Sequence, residues 1–128
     1  MYALMMMRYY LDEIIRGEKT SDARLYPTDI RGTIALGDSS TDKVHALADL
    51  TGCEEISYEE FVSWHRTGPF TEVEFAPYHE GKACYSYVLE NIRPLPVPVR
   101  IDNPDGNRMW VRVPEEVGRT FFFQRTLF

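Results

Sequence analysis

Glycine and proline residues divide this chain into short segments, and this punctuation limits the folds open to it. Strands are predicted at residues 2–7, 33–36 and 82–91, and the last two end close to Gly37 and Pro94. Every second residue along 94–98 is a proline. Because proline has no N–H to donate, a central strand cannot contain this segment, and it is predicted to be an extended sheet edge. Short strands separated by such turns favour a small closed or half-closed β-barrel.

Two segments have the period of a helix instead of a strand. Residues 8–16 place Leu11 and Ile14 on an apolar face and Glu13 on the polar face, with Gly17 as the stop. Residues 57–66 begin with a capping-box pattern and end before a Gly-Pro pair. Helices do not alternate regularly with strands, which disfavours a doubly wound parallel sheet. The predicted fold class is therefore α+β, a small β-barrel of about six strands with two flanking helices.

The chain has 128 residues, which predicts one domain over 1–128 with residues 114–128 as a C-terminal extension. That extension carries Phe121, Phe122, Phe123 and Phe128. So much apolar area is expected to pack as a last strand or to meet a partner, including a second copy of the chain. The net charge of −6 argues against a surface coated with charge for duplex binding, although a local basic cleft stays open.

The sequence offers no metal or cofactor motif. Cys53 and Cys84 are far apart, and His45 and His79 have no ligand spacing with any partner. Two reduced thiols in a cytoplasmic protein are expected, and a disulfide stays open if their strands pair. No stretch approaches about 20 apolar residues, and the N-terminus lacks the features of a signal peptide, so no membrane partner is predicted.

The segment GEKTSDAR at residues 17–24 is the strongest candidate for a functional site. It places Lys19, Asp22 and Arg24 at a predicted helix-to-strand junction, where side-chain charges sit beside free backbone groups. Lys19 is a cation for a phosphate, or a nucleophile or base if burial changes its pKa. The structural alternative is an ion pair of Asp22 with Arg24 or Lys19 that holds the loop together.

This segment resembles the signature Gly-x-Lys-x-x-Glu-x-Arg of the activating signal cointegrator homology (ASCH) domain, of the PUA-like superfamily, with Asp22 in place of Glu. The resemblance extends to the Arg-Gly turn that begins residues 31–36 and to the strand-to-proline segment at residues 87–95. Trp110 follows Gly106 in a similar element. The resemblance spans most of the chain from residue 2 to about residue 113.

The resemblance implies a PUA-like barrel with a ligand cleft beside the first helix. It implies an RNA or nucleotide-like ligand, bound by Tyr10, Lys19, Asp22, Arg24 and Tyr26. Some family members look like enzymes, so a hydrolase of a modified nucleoside such as N4-acetylcytidine, or of single-stranded RNA, is the alternative. In that case Lys19 and Asp22 are the catalytic candidates. A third hypothesis is a protein-interaction module that uses the aromatic tail.

The enzyme alternative needs further residues. The amidohydrolase-like branch has a Lys/Thr/Glu set, but Asp22 stands where its Thr is expected, and its Glu has only the candidates Glu60, Glu72 and Glu74. Burial separates the hypotheses, because a lysine in a deep cleft beside a second acid indicates catalysis and a lysine on an open groove indicates binding. Three further aromatic residues are interpreted mainly as packing residues: Tyr78, Trp110 and Trp64. His65, next to Trp64, is interpreted as a packing residue and a helix-terminal cation.

Overall fold

The computed structural model describes residues 1–69, 80–106 and 109–127, with side chains described up to residue 123. Strands and helices alternate irregularly along this part of the chain. Their order is β1 (Tyr2–Met6), α1 (Arg8–Ile15), β2 (Ser21–Arg24), β3 (Gly32–Asp38), β4 (Lys43–Ile56), α2 (Tyr58–His65), β5 (Cys84–Arg100), β6 (Trp110–Arg112) and α3 (Glu115–Leu127).

The six strands form one mixed sheet in the order β2-β5-β4-β3-β1-β6, in which β1 and β3 are parallel and the other pairs are antiparallel. The sheet curls into a half-barrel, so the predicted α+β fold with a barrel-like sheet of about six strands is confirmed. Bulges in β4 against β5 help the sheet to bend, because an extra residue increases the local twist. The proline-containing half of β5 pairs with β4 alone, as predicted for an edge segment.

Apolar side chains fill both sides of the sheet. Leu4 and Met6 of β1 pack with α1, whereas Ala3 and Met5 face the opposite cluster that contains Phe121 of α3. This burial on both faces explains why β1 has no polar alternation. A third cluster packs α2 against β2 and the beginning of β5. The signature segment therefore begins at the end of α1 and continues into β2, on which α2 packs.

The C-terminal extension is a helix, so its prediction as a strand is wrong and the helix count becomes three. Pro114 precedes α3, and Glu115 and Glu116 occupy its first turn, which is the usual chemistry of a helix start. Phe121 is fully buried in the core, while Phe122 and Phe123 remain largely exposed. Packing by Phe121 fixes the helix on its own domain. A partner bound by the two exposed rings stays a prediction, and Phe128 lies outside the described residues.

Strand pairing also decides the arrangement of the cysteines. β4 and β5 do pair, but Cys53 lies opposite Tyr87 and Cys84 lies opposite Ile56. The two thiols are therefore offset along the ladder, and both are free. Four residues named in the sequence analysis lie outside the described residues: Glu72, Glu74, Tyr78 and His79. Among the described residues, no helix has the length and apolarity needed to cross a membrane.

Candidate functional site

A tight helix ending places Lys19 beside α1. Gly17 adopts a φ of +80°, in the left-handed region that ends a helix without steric cost for glycine. The chain then turns back, and the carbonyl oxygen of Glu13 accepts hydrogen bonds from the backbone N–H groups of Glu18 and Lys19, at 2.9 and 3.3 Å. Lys19 is thereby held next to a residue six positions earlier in the sequence.

The C-terminal end of α2 supplies the second wall of the site. Ser57 and Glu60 form the predicted capping box at the start of this helix, so Glu60 has a structural role there. At the other end, the Lys19 ammonium donates a hydrogen bond to the carbonyl oxygen of Trp64, at 2.8 Å. A cation is favourable at this position because the last carbonyl groups of a helix carry partial negative charge. Lys19 therefore joins the ends of α1 and α2.

Three side chains meet at this junction, and we call Lys19, Glu13 and Thr67 the Lys19 cluster. Lys19 Nζ donates to Thr67 Oγ1 at 3.0 Å and lies 3.7 Å from Glu13 Oε2. The Thr67 hydroxyl donates to the Glu13 carboxylate, at 3.1 Å from Oε2 and 3.2 Å from Oε1. The Lys19 and Glu13 side chains are 12% and 6% exposed, whereas Thr67 is exposed. The hydroxyl of an exposed residue therefore lies beside a buried acid and a mostly covered cation.

This cluster corrects one expectation and adds two residues. Glu13 was predicted on the solvent-facing side of α1 but is buried, because Lys19 and Thr67 cover its carboxylate. Neither Glu13 nor Thr67 was among the predicted site residues. Glu13 was detectable in principle, since a glycine helix stop brings residues on its two sides together. Thr67 was not, because it follows a different helix.

Aromatic side chains form the wall beside the Lys19 cluster. Lys19 Nζ lies 4.5 Å from the centroid of the Trp64 ring, which is the geometry of a cation–π contact. The Trp64 ring is 5.0 Å from that of Tyr10, and the Tyr10 hydroxyl donates to the carbonyl oxygen of His65 at 2.9 Å. Tyr10 is buried in this arrangement. It thus supports Trp64, as a core residue of the site rather than an exposed stacking platform.

Substitution of Gly68 is expected to disturb this wall. A Cβ atom at position 68 would overlap the ring and hydroxyl of Tyr10, far inside van der Waals contact. We expect Gly68→Ala to lower the free energy of unfolding by about 1–3 kcal/mol, because overpacking displaces a rigid ring. Urea denaturation measures the change. Gly52→Ala is the matched control, since its Cβ would meet Val88 at ordinary distances of 3.6 and 3.7 Å, and equal losses in the two variants would contradict tight packing at Tyr10.

Asp22, Arg24 and Tyr26 lie along β2 and just beyond it. Arg24 Nε donates to the buried carboxylate of Asp22, and Arg24 Nη2 donates to the carbonyl oxygen of Met5 at 2.7 Å. Because β2 and β1 are not neighbours in the sheet, this contact bridges the opening of the half-barrel. Tyr26 is 56% exposed, and its carbonyl oxygen accepts a hydrogen bond from the hydroxyl of Tyr87. Asp22 and Arg24 thus form the ion pair that the sequence analysis gives as the structural alternative to ligand binding.

His65 differs from the helix-terminal cation that its position in the sequence suggests. Burial lowers its pKa below the ordinary value of 6.5, and its Nδ1 lies 2.8 Å from the carbonyl oxygen of Phe61, to which it donates. The cation at this helix end is Lys19 instead. Burial also lowers the pKa of His45 on β4, where Arg8 and Lys43 oppose its protonation and Asp38 and Asp12 favour it.

These two histidines predict a loss of stability on acidification. A pKa lower in the folded than in the unfolded chain means that the unfolded chain binds more protons near pH 6.5. Stability is then full above about pH 6.5 and falls as the pH drops towards the lowered values, by at most about 1.4 kcal/mol per pH unit for each histidine. Urea denaturation across this range measures the slope. His45→Phe should reduce it, and an unchanged slope would contradict the contribution of His45.

Metal binding has no support in the described part of the chain, where no group of three or more His, Cys, Asp or Glu side chains converges. The site instead combines an ammonium, a carboxylate, a hydroxyl and two aromatic rings. This set can bind an uncharged polar ligand, and it can activate the hydroxyl as a nucleophile.

Comparison with known proteins identifies the fold. No family model matches the sequence, and no curated protein matches it significantly. Among solved structures, the chain is similar to the ASCH protein of Zymomonas mobilis, with a TM-score of 0.66, 16% identity, and coverage of 95% of this chain and 93% of that one. Two variants of that protein are equally similar, each with a TM-score of 0.68 at 16% identity and with coverage of 95% of this chain. The alignment covers 96% of the tyrosine-to-phenylalanine variant and 94% of the serine-to-alanine variant. The architecture is therefore that of an ASCH domain.

Proposed function

We propose that this protein, which has the fold of an ASCH domain, is a small hydrolase that removes an acyl group from a nucleoside-like substrate. The observation that carries this proposal is the position of the Thr67 hydroxyl, 3.0 Å from the Lys19 ammonium and 3.1 Å from the Glu13 carboxylate. A nucleophile within hydrogen-bond reach of a base, with a charged group beside both, is the arrangement used in covalent catalysis. The Lys19 side chain is 12% exposed and lies beside an acid, which supports a catalytic lysine over one on an open groove.

The reaction can be written with this chain's own residues. Thr67 Oγ1 attacks the acyl carbon of an amide, and Glu13 takes the hydroxyl proton and passes it to the departing nitrogen as the C–N bond breaks. Lys19 stabilises the negative charge that develops on oxygen. Water then cleaves the ester on Thr67 with Glu13 again moving the proton, which releases a carboxylic acid and restores the hydroxyl.

The charge balance of the cluster favours an acyl substrate over a phosphodiester. Glu13 already compensates the charge of Lys19, at 3.7 Å, and its carboxylate is close to the nucleophile. A phosphodiester anion that approached Thr67 would be repelled by this carboxylate without an unpaired cation in the cluster to offset the repulsion. An amide is uncharged and meets no such barrier. The nucleoside part of the proposal is supported by the ASCH fold and is an analogy at the level of the fold.

A second candidate function is the binding of single-stranded RNA or a nucleotide without turnover. The observation that favours it is the exposure of two tyrosine rings near the signature segment, Tyr9 on α1 at 45% and Tyr26 after β2 at 56%. Exposed rings on a rigid scaffold can stack with bases. Tyr9 also contacts Tyr10, at 5.6 Å between ring centroids, which connects this surface to the aromatic wall.

The decisive experiment follows the conversion of N4-acetylcytidine to cytidine and acetate by chromatography. We expect turnover by the unaltered chain and its loss in Lys19→Met, with Lys43→Met, a change at an exposed lysine, as the matched control. Binding of the compound to Lys19→Met by NMR would confirm that the variant is folded and lacks only chemistry. Saturable binding of single-stranded RNA without turnover would support the second candidate, and neither binding nor turnover would overturn both.

A further inference from the structure

Trp64 has a hydrogen-bond donor that stays unused among the described residues. Its indole Nε1 is buried, and no acceptor lies within hydrogen-bond distance among the described residues. A buried donor without an acceptor is destabilising, and native proteins keep few of them. Buried groups of this kind call for a specific explanation, such as a ligand or an ordered water.

The rest of Trp64 is fixed by the candidate site. Its carbonyl oxygen accepts a hydrogen bond from Lys19, its ring lies under the Lys19 ammonium, and the rings of Tyr10 and His65 contact the indole. Tyr10 is in turn anchored to the carbonyl oxygen of His65. The indole is therefore held in place by groups that belong to the Lys19 cluster and its aromatic wall. An unused donor in such a rigid position is preorganised for recognition.

We infer that the indole N–H of Trp64 recognises a carbonyl oxygen on the ligand that occupies the Lys19 cluster. This makes Trp64 a specificity-determining residue, and the inference rests on the proposed function for the location of the ligand. The ligand class is an uncharged heterocycle that carries a carbonyl oxygen, such as a pyrimidine nucleoside. A purine without a carbonyl group leaves the donor unpaired, and an unpaired buried polar group is a strong basis for rejection.

A phosphate oxygen is a poorer match for the same donor. The indole N–H is neutral, and the nearby charge of Lys19 is compensated by Glu13. Transfer of an anion to this buried position would have a large desolvation cost, which a neutral N–H and a compensated Lys19 do not offset. The nitrogen has almost no contact with solvent in this conformation, so ligand binding has to displace a neighbouring group before the hydrogen bond forms.

The direct test is the indole N–H resonance of Trp64 in a ¹H–¹⁵N NMR spectrum. The chain has two tryptophans, so Trp64→Phe assigns the two indole peaks. We expect cytidine to move the Trp64 indole proton downfield, while adenosine and inorganic phosphate leave it in place and the Trp110 peak stays constant. A shift with phosphate alone would overturn the assignment of a carbonyl acceptor.

Further outcomes separate this inference from the proposed function. If cytidine shifts the backbone resonances of Lys19 and Thr67 but leaves the Trp64 indole unchanged, the ligand binds without Trp64, and the inference fails while the proposed function stands. If no resonance of the site moves with cytidine, the inference fails as well, and turnover of N4-acetylcytidine then decides the proposed function separately.

Affinity gives an independent readout. We expect Trp64→Phe to weaken the binding of cytidine about tenfold, the effect of one lost hydrogen bond, while Trp110→Phe leaves the affinity unchanged. Equal affinities in the two variants would overturn the inference. Because phenylalanine keeps an aromatic ring beside Tyr10, the fold should persist, and the NMR titration of the unaltered chain does not depend on any variant.

Discussion

Replacement of Glu13 by alanine is expected to lower the free energy of unfolding by about 3–5 kcal/mol, because it leaves the charge of Lys19 without its carboxylate partner. Lys19 is only 12% exposed and is held by the carbonyl oxygen of Trp64 and the hydroxyl of Thr67, so it cannot simply turn into solvent. The Thr67 hydroxyl also loses the acceptor of its hydrogen bond. Urea denaturation of the variant measures the loss.

Two further variants control this prediction. Glu18→Ala removes an acid from the same turn whose partner, Arg16, lies in solvent, so its stability should change little. The double variant Glu13→Ala/Lys19→Ala removes both charges and should be more stable than Glu13→Ala alone, because no uncompensated charge remains. If Glu13→Ala and Glu18→Ala unfolded at the same urea concentration, Glu13 would not be the partner that keeps Lys19 buried.

Stability alone does not explain why the chain has the ion pair of Glu13 and Lys19. Replacement of a buried pair by apolar residues of similar volume is often neutral or stabilising. Under the proposed function, the pair of Glu13 and Lys19 serves the reaction rather than stability. This agrees with the presence of an unused donor on Trp64 in the same place, since functional sites commonly retain arrangements that reduce stability.

Local patterns in the sequence were sufficient for most of the fold. β1, α1 and α2 follow from an apolar run, a helical period and a capping box, all of which act within a few residues. α3 was missed because the three consecutive phenylalanines were taken for strand residues, although Pro114 and the two acids after it are typical of a helix start. The burial of Phe121 against a sheet formed far earlier in the chain is a tertiary effect that no local pattern contains.

The site was predictable only in part, because several of its contacts join residues that are far apart in the sequence. Lys19 was identified from its position in the signature segment, and its neighbour Glu13 is a consequence of the turn at Gly17. Trp64 lies at the end of α2 and Thr67 just after it, and this part of the chain reaches Lys19 only through tertiary contacts. The helical period correctly places Glu13 on the polar face of α1. It does not reveal that Thr67, 54 positions later in the sequence, covers the Glu13 carboxylate there.

Replacement of Thr67 by valine should reduce turnover of N4-acetylcytidine on the order of 10³-fold or more, because it removes the nucleophile while it keeps the shape of the side chain. Stability should fall by only about 1–2 kcal/mol, since Thr67 is exposed and loses its hydrogen bond to the Glu13 carboxylate without leaving a cavity. Thr67→Ser keeps the hydroxyl and should retain most of the activity, and Thr51→Val, at an exposed strand position, is the matched control elsewhere.

Trapping of the intermediate makes the role of Thr67 specific. During turnover, mass spectrometry of the rapidly quenched unaltered chain should detect an acetyl group on the peptide that contains Thr67, and the Thr67→Val chain should show none. Activity retained by Thr67→Val would mean that water attacks the substrate directly, with Glu13 as its base. Activity lost equally in Thr67→Ser and Thr67→Val, with both chains folded, would mean that the methyl group matters and that the hydroxyl alone does not make the site. The paired variants therefore separate a nucleophile from a residue that only holds Lys19 and Glu13 in position.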